Sequence, residues 1–190
     1  MKNIDYIDYI DLFMKHNQQF PDSPDDSQLW KSIQNALKCS DEEAQEAAKF
    51  HCNSLSFYAL CRAHDWIMFH YSTWVERLVA SGFKTLRGYI NKDKISIAQM
   101  FGFNDKLPFL SYFYDYDKIM NKCNLNPDKG YNIKVYSNSN KNNLPGGGEH
   151  FMAGYILNRQ LYLSDSSKRG IRVLAKDVIP KHKFQWVLEV

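Results

Sequence analysis

Nowhere do the 190 residues hold an unbroken apolar run of eighteen. That is the length at which a helix crosses the hydrocarbon core of a bilayer, so no membrane span is expected. The N-terminal stretch also lacks the apolar centre of an export signal, because Asp5, Asp8 and Asp11 interrupt it. Cysteine is scarce: Cys39, Cys52, Cys61 and Cys123 are the four in the chain, at irregular spacing. A disulfide framework needs denser cysteine in a smaller domain, so these read as thiols in a reducing compartment. A cytoplasmic protein is expected, with export by a route without a signal peptide left open. An excess of one charge sign is missing too, since 24 basic residues face 21 acidic ones for a net charge of +3. Without a clustered basic footprint, nucleic acid is not an expected partner.

Other absences narrow the chemistry. Gly146-Gly147-Gly148 lacks the GK[ST] ending and following helix of a phosphate loop. It reads as a mobile loop or hinge, or as a place where substrate backbone approaches His150. The paired C-x2-C and H-x3-H spacings of structural zinc sites are also absent. Cys61 and His64 fall on one helical turn, and His51, Cys52 and His70 lie near them in sequence, but the pattern is a poor zinc signature. No metal or organic cofactor is expected. The aromatic run from Phe109 to Tyr116 has no regular basic interleaving, so it reads as core packing rather than a base-stacking platform. No internal repeat is present.

What is there suits one ordinary globular domain. Domains usually hold roughly 100–200 residues. Apolar residues make up 44% of the chain and aromatics 15%, too much to leave most of it disordered. Ile4, Ile7, Ile10, Leu12 and Phe13 predict a short amphipathic helix over 4–14. After Pro21-Asp22-Ser23-Pro24, Asp25 or Asp26 is positioned to cap a second helix reaching Leu37, with Leu29, Trp30, Ile33 and Leu37 on one face. Ser40 and Glu43 form a capping-box signature for a third. Whether that helix continues through Cys52 or restarts there is open, because Ala44, Ala48, Cys52, Leu55 and Ala59 permit either. Further helices are predicted over Trp66–Gly82 and Ile95–Phe101. Strands are predicted at Gly88–Ile90, Tyr131–Tyr136, Phe151–Leu157, Leu161–Leu163, Ile171–Leu174 and Phe184–Val190. Helices first and strands later define an α+β class. Residues 1–40 are expected to be a helical extension packed on a domain formed by 41–190.

The segment Glu149–Asp165 carries the strongest chemical signal. With Asn158-Arg159 as a two-residue hairpin turn, Leu157 pairs with Gln160 and Met152 with Asp165. His150 and Asp165 then share a face as diagonal neighbours, about 7–8 Å apart at the backbone and within reach of a hydrogen bond. A one-residue slip would place them on opposite faces. A histidine oriented by a carboxylate calls for a nucleophile, and Cys52 is the candidate. At a helix N-terminus its thiolate would be stabilised by the helix dipole. The roles would be Cys52 as nucleophile, His150 as base and then acid, and Asp165 fixing the imidazole tautomer. Backbone N–H groups at the helix start and a side-chain amide would hold the oxyanion, with Gln45 the amide candidate.

The order of cysteine at a helix start, histidine at a strand start and aspartate after the next strand resembles the papain-like cysteine peptidases. HFMAGYILNRQLYLSDSS is similar to the His-to-Asp hairpin of the branch that includes bacteriocin-processing peptidases. LVASGFKTLRGYINKDKISIAQMFGF resembles a less characterised papain-like group of bacteria and phages. The resemblance spans roughly residues 45–175, and its specific parts are the His150–Asp165 hairpin and the Cys52 helix. It implies a papain-like fold, with N-terminal helices followed by a mostly antiparallel sheet. It also implies a peptide or protein substrate, whose amide or isopeptide bond is cleaved through a thioester on Cys52. The chain departs from the pattern at three places. His51 stands where many members have glycine. Glu46 stands six residues before the cysteine, where members have the oxyanion glutamine, and Gln45 is seven before. Ser166 rather than proline follows Asp165. Two further readings stand beside hydrolysis: a catalytically silent binding module on the same fold, and an acyltransferase or transglutaminase-type enzyme with the same triad.

Overall fold

The computed structural model describes residues 3–19, 21, 27–83, 94–106, 109–111, 128–137, 149–168, 172–178 and 182–189. Its helices are α1 (Asn3–His16), α2 (Gln28–Leu37), α3 (Asp41–Ala48), α4 (Cys52–Ala63), α5 (Tyr71–Ala80) and α6 (Lys94–Phe101), with a one-turn helix at Ala175–Val178. The strands are β1 (Phe109–Ser111), β2 (Gly130–Ser137), β3 (Glu149–Leu157), β4 (Gln160–Ser164), β5 (Val173–Leu174) and β6 (His182–Glu189). Among the described residues these strands form one sheet, in the order β1-β6-β2-β3-β4-β5. Every pairing is antiparallel. The α+β class with helices leading is therefore observed. No helix among the described residues is long and apolar enough to cross a membrane.

α4 is the centre of the molecule. Ten of its residues, from Asn53 to Ala63, are buried. A helix buried all round has neighbours on every side, and α4 packs against α1, β2 and β3. α1 sends Tyr6, Ile7, Ile10 and Met14 into the same core. Steps of three and four residues, Ile7 to Ile10 and Tyr6 to Ile10 to Met14, define one helical stripe. Leu12, predicted on the apolar face, is 56% exposed because it lies about 200° around the helix from Ile10. Leu60 on α4 is fully buried. Leu60→Ala should lower unfolding free energy by about 2–5 kcal/mol, read as a fall in the urea midpoint with unchanged slope.

Local chemistry sets the helix limits. The Ser40 hydroxyl accepts from the Glu43 backbone N–H at 3.3 Å and the Glu43 carboxylate accepts from Ser40 N–H at 2.9 Å, completing the predicted capping box. α2 follows Ser27, whose hydroxyl donates to the Gln18 carbonyl at 2.9 Å instead of capping the helix. The proposed caps Asp25 and Asp26 lie outside the described residues. α2 stops at Lys38, in the left-handed region at φ 53°. The helix predicted from Trp66 begins only at Tyr71. Asp65 takes φ 57°, and Trp66 N–H turns back to the Cys61 carbonyl, so the chain must travel before a helix can resume. Gly82 and Gly102 close α5 and α6 at positive φ, as predicted for glycine after a helix.

The hairpin register is the one the sequence implies. β3 and β4 pair from Leu157↔Gln160 to Ala153↔Ser164. Asn158 and Arg159 hold φ 51° and 60°, the signature of a type I′ turn. The ladder ends one pair short of Met152 and Asp165, because the chain enters a 3₁₀ turn at Ser166–Lys168. The predicted Gly88–Ile90 strand, most of the Phe109–Tyr116 run and the glycine loop at 146–148 lie outside the described residues.

Candidate active site

α3 and α4 are separate helices. After Ala48 the chain makes two tight turns, with Phe50 N–H donating to the Ala47 carbonyl and His51 N–H to the Ala48 carbonyl, each at 3.1 Å. α4 then starts, with His51 as its N-cap and Cys52 as its first residue. Of the two courses open to the sequence, the chain takes the restart. Cys52 is half-buried and free of any disulfide. The first turn of α4 carries no acidic residue to offset the partial positive charge of the helix end.

The start of α4 is braced from below. His51 is fully buried, and its Nδ1 is hydrogen-bonded to the Tyr71 hydroxyl at 2.8 Å. Burial holds that hydroxyl protonated, well above the usual tyrosine range, while Ser54 hydrogen-bonds it. Ser54 also accepts the Trp74 indole N–H at 3.1 Å. One turn along α4, the Ser56 hydroxyl donates to the Cys52 carbonyl at 2.8 Å and accepts from the Asn132 amide at 2.6 Å. That last contact ties α4 to the sheet at β2.

β3 delivers His150 next to this helix. Its Nε2 lies 2.7 Å from Asp165 Oδ1, with the two residues 9% and 5% exposed. The same Oδ1 accepts the Ser167 N–H and hydroxyl, both at 2.8 Å, so the carboxylate is anchored locally as well. Burial opposes charge on the His150 ring. The Asp165 charge and hydrogen bond overcome it, and the Cys52 side chain adds to them by hydrogen bonding and charge, so the imidazole is held well above its ordinary range. Burial also opposes the Asp165 charge, but His150 and Ser167 outweigh it and bring the carboxyl down to about 2. With Nε2 engaged by Asp165, Nδ1 is the ring nitrogen left to face Cys52. The structure thus brings Cys52, His150 and Asp165 together, with the imidazole between thiol and carboxylate.

Gln45 sits on α3, half-buried, and takes no part in the hydrogen bond joining His150 and Asp165. Among the described residues no group of three or more His, Cys, Asp or Glu side chains is arranged to hold a metal ion. Sequence reasoning missed Ser54, Ser56, Tyr71, Asn132 and Ser167. A signal existed for two of them: Ser54 and Ser56 are hydroxyls inside a helix whose neighbours are apolar, and buried hydroxyls need partners. No protein-family model, curated protein or solved structure matches the chain.

The ion pair fixes a pH window for stability. Asp165 falls below its ordinary value of 3.8 on folding, so its contribution is present above 3.8 and is lost as pH drops toward about 2. His150 rises above 6.5, so its contribution is whole below 6.5 and fades as pH climbs through the folded value. These are two ends of one interaction and are not summed. Thermal melts should therefore show the pair's full contribution between 3.8 and 6.5, and Asp165→Asn should flatten the acid limb.

Proposed function

We propose that this chain is a papain-like thiol hydrolase that cleaves an amide or isopeptide bond in a peptide or protein. One observation carries the reading: His150 lies between the Asp165 carboxylate and Cys52, the first residue of the buried helix α4. In the first half-reaction the Cys52 sulfur bonds to the substrate carbonyl carbon. The sulfur attacks as the thiolate paired with the protonated His150 ring, the C–N bond breaks and His150 gives its proton to the leaving amine. In the second, water attacks the thioester carbon while the now neutral His150 takes its proton, and the C–S bond breaks to return the thiolate beside the protonated ring. Backbone N–H groups in the first turn of α4 would hold the oxyanion, since a helix start leaves them without intrahelical partners.

The test is the pH dependence of Cys52 alkylation by iodoacetamide, read peptide by peptide. Wild-type Cys52 should react well into acidic pH. His150→Ala should move the profile toward that of an unassisted thiol, near pH 8.5. Cys61→Ser, at a fully buried position, should change nothing. Coincident wild-type and His150→Ala profiles would overturn the hydrolase and leave a binding module. A reactive Cys52 whose acyl group passes to an amine in preference to water would make the enzyme an acyltransferase.

A further inference from the structure

We propose that Gln19 is a positioning residue that clamps the nucleophile's helix to the aspartate's turn. This rests on the Cys52–His150–Asp165 reading. Gln19 follows α1 and is 3% exposed. Its amide Nε2 donates to the carbonyls of Ala48 and Lys49, both at 3.0 Å. Its Oε1 accepts from the Ser166 hydroxyl at 3.2 Å, and its backbone N–H donates to the Ser166 carbonyl at 3.4 Å. Ala48 and Lys49 begin the double turn that aims Cys52, and Ser166 directly follows Asp165. One side chain therefore spans both halves of the site from a point far away in sequence.

The contacts match the carboxamide and nothing smaller. Two carbonyls need two N–H donors and one hydroxyl needs an acceptor, which a glutamine supplies in one group. Both amide hydrogens are engaged by carbonyls, so Gln19 acts by holding the site rather than by donating to substrate. The backbone beneath it is itself fixed, since Ser27 holds the Gln18 carbonyl and the Asn17 amide holds the Phe13 carbonyl, each at 2.9 Å. The carbonyl of Ala48 also receives the His51 N–H, so a shift at Gln19 passes directly to the N-cap of α4. An imidazole and thiol must meet within tenths of an ångström for proton transfer, which makes their alignment sensitive to this joint.

The experiment measures Cys52 alkylation by iodoacetamide at pH 6 and pH 10 in full-length wild type, Gln19→Ala, Gln19→Glu, Ser166→Ala and His150→Ala. At pH 6, where reaction depends on the imidazole, Gln19→Ala should slow alkylation by about tenfold, while at pH 10 the rates should agree within about twofold. Gln19→Glu should be slower still, because it sets a carboxylate against two carbonyl oxygens. Ser166→Ala should move the rate the same way by less, and it carries the test if Gln19→Ala does not fold. The downfield proton resonance of the His150–Asp165 hydrogen bond should broaden or shift in the Gln19 variants. A pH-independent loss of rate, or wild-type profiles in Gln19→Ala and Ser166→Ala beside a slowed His150→Ala, would overturn the clamp and leave the hydrolase standing. A His150→Ala profile identical to wild type would overturn both.

Discussion

Cys52→Ala is expected to abolish turnover of an activated ester such as p-nitrophenyl acetate, with a loss on the order of a thousandfold or more. The wild type should release p-nitrophenolate in a burst of one equivalent per chain and carry the acetyl group on Cys52, as a covalent intermediate requires. The other described thiols are poor competitors. Cys61 is fully buried on α4. Burial and the nearby Glu43 charge push the Cys39 thiol upward, against a lowering hydrogen bond from its own backbone. Cys39→Ser and Cys61→Ser should thus keep the burst. A burst that survives Cys52→Ala, or an acetyl group found on another cysteine, would remove Cys52 as the nucleophile. The ester is a fair probe because it needs little help in expelling its leaving group. It isolates nucleophile activation from any specificity for a peptide.

The parts of this site that the sequence made legible are those set by local rules. The Ser40–Glu43 capping box needs only two residues in one turn. The Asn158-Arg159 turn fixes the hairpin register, and the register alone brings Asp165 to the side of β3 that carries His150. The break before Cys52 was half legible: periodicity permitted a continuous helix, and what decides for a restart is a set of partners distant in sequence. His51 finds Tyr71 and Cys52's carbonyl finds Ser56, which in turn finds Asn132. Gln19 was illegible for the same reason, since its partner Ser166 lies 147 residues away. No window of sequence contains such a pair. Gln45 is near Cys52 along the chain, whereas the buried amide that joins the end of α3 to the turn after Asp165 is Gln19, on another segment. The sheet order has a similar origin. β6, last of the strands in sequence, inserts between β1 and β2 beside the sheet's edge, and alternation within a strand says nothing of its neighbours.

Asp165→Ala is expected to be the most destabilising change in the site. The pair it breaks is almost fully buried, and removing one partner leaves the other to bear its desolvation alone, a cost of about 3–5 kcal/mol for buried ion pairs. Three contacts vanish together, because one carboxylate oxygen holds His150, the Ser167 N–H and the Ser167 hydroxyl. Asp165→Asn separates charge from geometry. The amide oxygen can still accept from Ser167 and His150, so stability should fall by less, about 1–2 kcal/mol. Ester turnover at neutral pH should nonetheless drop sharply, because no carboxylate remains to hold the imidazolium that pairs with the Cys52 thiolate. Urea unfolding of Asp165→Ala, His150→Ala and the double variant gives the coupling directly. The double variant should be clearly less destabilised than the sum of the singles, since it removes the stranded charge along with its partner. Strict additivity would mean that the two side chains do not share a buried ion pair in solution, and the orienting role assigned to Asp165 would fail with it.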